Sequence, residues 1–246
     1  MTEPVTYQTD GVVAQITINR PDKRNAINDA VSVGLGQAYR RFAEGPERCA
    51  VLTGAGDLSF SAGLDFHDAP RSSLEHYPGY AVPIGKPLIG AVSGHCIGGA
   101  FVIALHCDLL VASESAQFSF LEGQLGLLGG AAGGVFTRLP AKIAAEVVML
   151  GHVINAQRAY EVGLANRVVP VGQQVTVATE WAHRIAGMAP LVIQGCKSML
   201  DDVLQRGPYE SALPTIRMLE TIRTSEDGQE GPRAWREKRK PDFRGR

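Results

Sequence analysis

The sequence of 246 residues lacks the features that mark membrane-spanning, secreted and nucleic-acid-binding proteins. Its formal net charge at pH 7 is −1, so it has no excess of basic charge for nucleic acid or an anionic membrane surface. No apolar run approaches the ~20 residues that a transmembrane helix needs, and residues 1–10 are polar where a signal peptide would be apolar. We therefore expect a cytoplasmic protein that binds neither nucleic acid nor a membrane.

Cysteine is scarce and scattered, which argues against disulfides and against a metal or redox centre. The four cysteines form no C-x-x-C pair, and no cluster of histidine and cysteine has the spacing of a zinc site. They are Cys49, Cys96, Cys107 and Cys196. We expect reduced, mostly buried thiols in a reducing compartment, and no bound metal.

The phosphate-binding motifs of nucleotide enzymes are also absent, since neither G-K-[ST] nor G-x-G-x-x-G occurs. Three glycine-containing segments are present instead, at residues 60–65, 93–100 and 122–134. Glycine-rich turns between a strand and a helix let backbone N–H groups face a negatively charged ligand without side-chain obstruction. The same glycines could serve only the close packing of helices on strands, so the glycine pattern alone leaves both interpretations open.

Hydrophobic patterning predicts a layered α/β core up to about residue 170. Residues 12–19 alternate between apolar and polar, which predicts a strand after a hairpin turn at Asp10-Gly11. A helix is expected to begin at the N-cap Asn28 and to stop at Gly45-Pro46. Short apolar runs predict strands buried on both faces, and a run of small apolar residues predicts a buried helix. The strands are expected at residues 49–53, 88–92 and 108–112, and the helix at 98–106.

Strand-like runs disappear after Pro190, which predicts an all-helical region at residues 190–246 behind a core at residues 1–189. Apolar stripes at helical spacing are too few to form a core of their own, so they should pack on the first region or on another subunit. The stripes are Ile193, Leu200, Val203 and Leu204, then Ala212, Ile216, Leu219 and Ile222. Thr224 with Asp227 resembles a capping box that opens a last helix.

These segments, taken in order, resemble the crotonase (enoyl-CoA hydratase/isomerase) superfamily across nearly the whole chain. The resemblance lies in residues 19–28, 51–54, 60–65, 86–94, 98–100, 107–108, 116–118, 122–134 and 237–243. It implies an α/β fold, a crotonase-type spiral of repeated β-β-α units, with a C-terminal helical trimerisation region. It also implies an acyl-CoA thioester substrate and a homotrimer or a hexamer made of two trimers. Coenzyme A would be part of the substrate, with no separate cofactor.

By the same resemblance, the thioester oxygen is held by the backbone N–H groups of Ala62 and Gly99. Each such donor to an oxyanion is worth roughly 10²–10³ in rate. Glu122 lies where many family members have a catalytic glutamate. Its apolar neighbours should desolvate the carboxylate and raise its pKa toward the working pH.

The resemblance also implies a set of residues that contact the substrate or its CoA portion. They are Arg24, Asn25, Ala26, Ser61, Ala62, Gly63, Leu64, Asp65, Phe66, Gly98, Gly99, Val102, Leu121 and Gly130. Arg24 could bind a CoA phosphate or be a solvated surface charge. The same choice applies to the basic residues Lys238, Arg239 and Lys240, for which a solvated tail is the preferred interpretation.

One position departs from the family pattern. Typical hydratases use a second glutamate, and the matching residue here is Val102, which cannot accept or donate a proton. We therefore expect a single-glutamate isomerase that moves a double bond in an enoyl-CoA. The alternatives are a hydratase or hydratase-lyase that recruits another polar group, and a homologue that binds acyl-CoA without turnover. Candidates for the other group are Tyr80, His67 and His95.

The segment of residues 67–85 is also shorter than in typical family members. We therefore expect the helix that usually covers the acyl pocket to be shortened.

Overall fold

A computed structural model of the chain describes residues 3–72, 74–204 and 206–246. The chain divides into two compact units, Met1–Gly207 and Pro208–Arg246. The strands of the first unit are β1 (Val5–Thr9), β2 (Val13–Ile18), β3 (Cys49–Gly54), β4 (Ser59–Ser61), β5 (Leu88–Val92), β6 (His95–Ile97), β7 (Leu109–Ser113), β8 (Gln117–Ser119), β9 (Ile154–Asn155) and β10 (Arg167–Val169). Its helices are α1 (Asp29–Glu44), α2 (Gly99–Leu105), α3 (Glu122–Leu125), α4 (Gly133–Arg138), α5 (Ala141–Leu150), α6 (Ala156–Glu161), α7 (Gln174–Ala186) and α8 (Pro190–Val203), with short 3-10 helices at Pro21–Lys23 and Gly130–Ala132.

The strands form two sheets that the chain visits in turn. The larger sheet has the order β1-β2-β3-β5-β7-β10, and the smaller has the order β4-β6-β8-β9. In each of the pairs β3–β4, β5–β6 and β7–β8, the first strand joins the larger sheet and the second joins the smaller. Neighbours are parallel except for the hairpin β1–β2 and the pair β8–β9. The expected spiral is therefore confirmed.

Helix α1 forms as the sequence predicts. The side chain of Asn28 accepts a hydrogen bond from the backbone N–H of Val31, which satisfies one of the free donors at the first turn. The buried face includes Leu35 and Phe42, and the helix ends at the C-cap Gly45. No helix follows between β4 and β5 in the described residues, as the shortness of that segment predicts.

The larger sheet and α7 enclose one hydrophobic core. Every residue of β3 and β5 is buried, as expected for parallel strands covered on both faces. Val177, Ala178 and Ala182 of α7 pack against inward side chains of the sheet, among them Val51 and Ile89. This core stabilises the larger sheet, whose strands β3, β5 and β7 are each followed along the chain by a strand of the smaller sheet.

The region after residue 190 is helical, as expected. The second unit contains α9 (Pro208–Thr224) and α10 (Glu226–Glu237), whereas α8 belongs to the first unit. The ammonium of Lys197 on α8 lies 2.6 Å from the carboxylate of Asp108, just before β7. Many apolar side chains of α8 and α9 are exposed, including Leu191, Val203 and Leu219. Assembly through these helices stays a prediction.

The start of α10 lies one residue later than the capping box predicted. Ser225 is the N-cap, and its hydroxyl accepts from the backbone N–H of Gly228 at 2.9 Å. The hydroxyl of Thr224 instead donates to the carbonyl of Glu220 at 2.9 Å, within the preceding helix. The Ser225 hydroxyl also donates to the preceding helix, to the carbonyl of Ile222 at 2.8 Å, and still accepts from Gly228 because a hydroxyl can donate and accept at once.

Candidate active site

Three adjacent parallel strands of the smaller sheet lead into one region. Strands β4, β6 and β8 pair in that order. They are followed by residues 62–65, by the turn Gly98-Gly99 and by Glu122, respectively. Because the carboxyl ends of parallel strands meet at one edge of a sheet, the three glycine-containing segments converge there.

The backbone N–H of Ala62 is not available as an oxyanion donor, which corrects the expectation from the sequence. It donates a hydrogen bond to the carbonyl of Arg24 at 3.0 Å. Here the bond joins the loop after β4 to the segment before α1. An N–H group held at this distance by a backbone carbonyl cannot also face a substrate oxygen. The donor that this loop could offer is therefore a different N–H group.

Leu64 supplies the N–H group that the loop leaves open. The N–H of Gly63 donates to the Ser61 hydroxyl at 3.2 Å, and that of Asp65 donates to the carbonyl of Ile27 at 2.9 Å. Ile27 and Leu64 form a parallel bridge in which Ile27 bonds to the residues on either side of Leu64. The N–H of Leu64 is therefore directed away from Ile27, and it has no acceptor within the described residues.

The turn Gly98-Gly99 lies directly against this loop. The N–H of Gly98 donates to the carbonyl of Ser119 at 2.9 Å, which attaches the turn to β8. An ideal Cβ built on Gly63 would lie 2.6 Å from the carbonyl oxygen of Ile97 and 3.8 Å from the backbone nitrogen of Gly99. Only glycine permits so close an approach. The N–H of Gly99 also has no acceptor in the described ranges.

The N–H groups of Leu64 and Gly99 are the best-placed pair of oxyanion donors. A Cβ on Gly99 would lie 3.7 Å from the side chain of Leu64, so the two residues are in contact. Backbone N–H groups left without an acceptor in a folded protein call for an explanation, and a developing thioester oxyanion provides one. The oxyanion role of Gly99 stays a prediction, and Leu64 takes the place of Ala62 as its expected partner.

Glu122 is the ionisable group that faces the turn. A Cβ on Gly98 would lie 2.7 Å from its Oε1 atom. Its Oε2 atom is buried and has no hydrogen-bond partner among the described residues. Desolvation raises the pKa of Glu122 above 4.5, although the backbone N–H groups of Glu122 and Leu121 oppose the rise. A carboxylate in this state is a stronger base than an exposed glutamate, which suits it to moving a proton.

Val102 lies one helical turn beyond Gly98 and is 1% exposed. Its N–H donates to the carbonyl of Gly98 within α2, and its side chain is apolar. It therefore contributes an apolar surface to the site and no group that can transfer a proton.

Tyr77 is a polar residue of the site that the sequence did not indicate. Its phenol oxygen would be 3.2 Å from a Cβ on Gly99. No periodic pattern marks Tyr77, since its segment has neither helix nor strand.

The three polar groups that the sequence suggested have other surroundings. The ring of Tyr80 packs edge-on against His106 at 5.0 Å and at a tilt against Tyr77 at 5.1 Å. His67 is exposed in the loop after β4. His95 begins β6, so it lies at the opposite end of that strand from the Gly98 turn.

Asn25 has a structural role in this fold, which corrects its assignment to the CoA site. Its side chain is fully buried and donates to the carbonyls of Ala55 at 3.0 Å and Ser59 at 2.8 Å. It also accepts from the backbone N–H of Arg20 at 2.9 Å. These bonds join the turn at residues 20–25 to the segment at residues 55–59, and the buried side chain is not exposed for contact with CoA.

The remaining CoA-binding predictions fall on residues beside the site. Arg24 is exposed, and Asp65 pairs with Arg20 at 3.1 Å. The guanidinium of Arg20 also donates to the carbonyl of Ala26 at 2.7 Å, so the two expected CoA segments lie side by side. Phe66 is 61% exposed. Ser61 is buried, Leu121 is half-buried and Gly130 is exposed in a 3-10 helix. Their contact with CoA stays a prediction.

The described ranges hold no group of three His, Cys, Asp or Glu side chains suited to a metal ion. In the same ranges, no helix is long and apolar enough to cross a bilayer.

Among the basic residues near the C-terminus, Arg239 forms ion pairs with the carboxylates of Glu230 and Glu237.

The family model described as enoyl-CoA hydratase/isomerase matches residues 8–246. The chain belongs to this family. It is thus a crotonase-superfamily enzyme that acts on acyl-CoA. A protein of Proteus mirabilis called carnitinyl-CoA dehydratase is 34% identical over 263 residues, covering 100% of both chains. A Salmonella typhi protein of the same name is 34% identical over 264 residues, again with 100% coverage of both.

Solved structures of this family share the fold. The crystal structure of carnitinyl-CoA hydratase from Mycobacterium avium superposes with a TM-score of 0.78 at 38% identity, covering 100% of both chains. The enoyl-CoA hydratase from Mycobacterium tuberculosis H37Rv gives a TM-score of 0.77 at 32% identity, also with 100% coverage. The names of these relatives describe hydration and dehydration, whereas the single glutamate of this sequence predicts double-bond isomerisation.

Proposed function

We propose that this enzyme interconverts a 3-hydroxyacyl-CoA and the corresponding 2-enoyl-CoA by removing or adding water. The observation that carries the proposal is the Glu122 carboxylate against the Gly98 turn, with a buried oxygen that has no partner in the described residues. The relatives named dehydratase and hydratase support this reaction over the isomerisation expected from the sequence.

The reaction needs one base and one oxyanion site. Glu122 takes the proton from C2, and the electron pair of the C–H bond moves toward the thioester oxygen. The N–H groups of Leu64 and Gly99 stabilise that oxygen, each by roughly 3–4 kcal/mol. The enolate then re-forms the carbonyl and the C3–O bond breaks. The departing hydroxide takes the proton from Glu122 and leaves as water, so the carboxylate returns to its starting form.

An assay of the purified protein with three thioesters tests the proposal. Carnitinyl-CoA and crotonyl-CoA report dehydration and hydration, and a 3-enoyl-CoA reports isomerisation. We expect water to be lost from or added to at least one of the first two. Rapid conversion of the 3-enoyl-CoA with no water addition to any 2-enoyl-CoA would establish an isomerase and overturn the proposal. Binding of all three without turnover would identify a non-catalytic acyl-CoA-binding protein.

A matched pair of variants links the activity to Glu122. Glu122→Gln keeps the shape of the side chain but cannot accept a proton. We expect it to lower kcat/KM for hydration by about 10²–10⁴. Glu114→Gln changes an exposed glutamate between β7 and β8 and serves as the control. Equal activity of the two variants would exclude Glu122 as the base.

A further inference from the structure

A second oxygen flanks the Gly98-Gly99 turn. The phenol oxygen of Tyr77 would lie 3.2 Å from a Cβ on Gly99, and that Cβ would be 3.7 Å from the Leu64 side chain. The Glu122 carboxylate occupies the matching position at Gly98, at 2.7 Å. One turn therefore has a carboxylate against its first glycine and a phenol against its second, beside both oxyanion donors.

Tyr77 is held in place by buried contacts. It is 7% exposed, and its ring packs between His76 at 4.2 Å and Tyr80 at 5.1 Å. The imidazole of His76 is 1% exposed and shares a hydrogen bond with the Ser32 hydroxyl at 2.9 Å. The hydroxyl of Tyr39 on α1 donates to the carbonyl of His76 at 3.3 Å. A segment anchored this way can hold the phenol in one position, although it has no regular secondary structure.

We propose that the Tyr77 hydroxyl donates a hydrogen bond to the oxygen on C3 of the substrate. The proposal rests on the hydration and dehydration proposed above. In that reaction the C3 oxygen enters as water or leaves as hydroxide, and Val102 offers it no polar contact. Tyr77 stabilises the negative charge that develops on this oxygen as the C3–O bond breaks. Glu122 still carries the proton from C2 to the oxygen, so Tyr77 keeps its own proton and every atom is accounted for.

Two reactions on one protein separate this role from a structural one. Hydration of a 2-enoyl-CoA needs a contact to the C3 oxygen. Exchange of the C2 protons of butyryl-CoA with deuterium from solvent needs only Glu122 and the oxyanion donors, because butyryl-CoA has no C3 oxygen. Exchange also reports that the site is folded, which guards against a variant that has merely lost its structure.

The test is Tyr77→Phe, with Tyr80→Phe as the matched control from the same buried aromatic group. We expect Tyr77→Phe to lower kcat for hydration by about 10²-fold, as for loss of a single donor to developing charge. Exchange at C2 of butyryl-CoA should stay close to the wild-type rate. Tyr80→Phe should leave both reactions close to wild type.

The other outcomes overturn the proposal. Loss of both reactions in Tyr77→Phe would place the phenol at the thioester oxygen or in a purely structural role. Retention of both would show that the phenol does not contact the reacting group. If the wild-type enzyme exchanges C2 protons but hydrates no enoyl-CoA, the proposed function itself fails, and the role of Tyr77 fails with it. That case differs from the others because the wild-type protein already lacks the activity.

Discussion

Glu122 and Glu230 are both glutamates with buried carboxylate atoms, but their surroundings push the pKa in opposite directions. Glu230 on α10 is 4% exposed and accepts hydrogen bonds from Arg239 and Arg233 and from the backbone N–H of Asp242. The side-chain bond from Arg239 is the largest cause that holds the pKa of Glu230 far below its ordinary value. Desolvation is the largest cause that raises the pKa of Glu122, and no arginine of the described residues contributes to the shift.

The comparison shows that hydrogen-bonding and charged partners, and not burial alone, decide whether the pKa of a buried carboxylate is raised or lowered. Glu230 keeps its charge because Arg239, Arg233 and the backbone N–H of Asp242 all donate hydrogen bonds to its carboxylate, so we expect a structural role for it. Glu122 is held where desolvation disfavours its charge and raises its pKa, so it binds a proton more readily than an exposed glutamate does. Two backbone N–H groups of one loop also differ in whether they have a hydrogen-bond partner. That of Ala62 is satisfied by Arg24, and that of Leu64 has no acceptor in the described part of the chain.

The pH dependence of activity gives the largest expected effect. Glu122 must be ionised to take the C2 proton, and burial raises its pKa above 4.5. Activity should therefore disappear as the pH falls through this raised pKa, by tenfold per pH unit on the acid side. A kcat/KM profile for hydration measures it. An acid limb at or below the ordinary glutamate value would show that the buried carboxylate is not the base.

Replacing single amides by esters tests the two N–H groups directly. A leucic acid residue at position 64 keeps the side chain and removes the N–H. We expect this change to lower kcat by roughly 10²–10³ with a modest effect on folding. The matched ester at Ala62 removes a bond to Arg24, so it should lower stability more than kcat. The reverse result would restore Ala62 as the oxyanion donor.

Gly98→Ala tests whether the carboxylate lies against the turn. Gly98 has φ +57, and a Cβ would lie 2.7 Å from Glu122 Oε1, so both the backbone and the carboxylate must shift. We expect kcat to fall by about tenfold or more, with a strain of order 1–3 kcal/mol. The control is Gly56→Ala, where φ is +76 but nothing lies within 4 Å of the added atom. It should lower stability only. Similar activity of the two variants would argue against the contact.

Stability measurements on Glu122→Gln and Glu230→Gln give the smallest effects, with opposite signs. The raised pKa of Glu122 means that its contribution to stability is present below pH 4.5 and is lost as the pH rises through the folded-state pKa. Glu122→Gln should thus be neutral or slightly stabilising at pH 7. The lowered pKa of Glu230 means that its contribution is present above pH 4.5 and is lost as the pH falls toward the folded-state value.

Glu230→Gln should therefore weaken the second unit at pH 7, and the difference from wild type should shrink in acid. Hydrogen exchange of residues 239–246 measures this locally. Glu226→Gln is the control, because Glu226 is 65% exposed in its ion pair with Arg246 and should matter little. A Glu122→Gln variant less stable than Glu230→Gln at pH 7 would contradict the comparison.

Much of the architecture was predictable because it depends on neighbours in the sequence. Asn28 caps α1, Gly45 ends it, and Leu88–Val92 forms the predicted buried strand. The family resemblance and the roles suggested for Gly99 and Glu122 also came from ordered local motifs. The capping residue of α10 was misplaced by one position, since Thr224 and Ser225 both have a hydroxyl that could cap.

The alternation of strands and helices, the family resemblance and the presence of Glu122 with Val102 in place of a second glutamate could all be read along the chain. These depend on side-chain periodicity, on turn residues and on residue types that can be read along the chain. The three-dimensional contacts were needed to show that Leu64 rather than Ala62 has an N–H without an acceptor among the described residues, that Asn25 is a structural residue, and that Tyr77 lies beside Gly99. Each of these depends on contacts with residues more than 20 positions away, such as Arg24 for Ala62 and Ile27 for the neighbours of Leu64. Because hydrogen bonds of that kind form only when the spiral closes, no local pattern in the sequence records them.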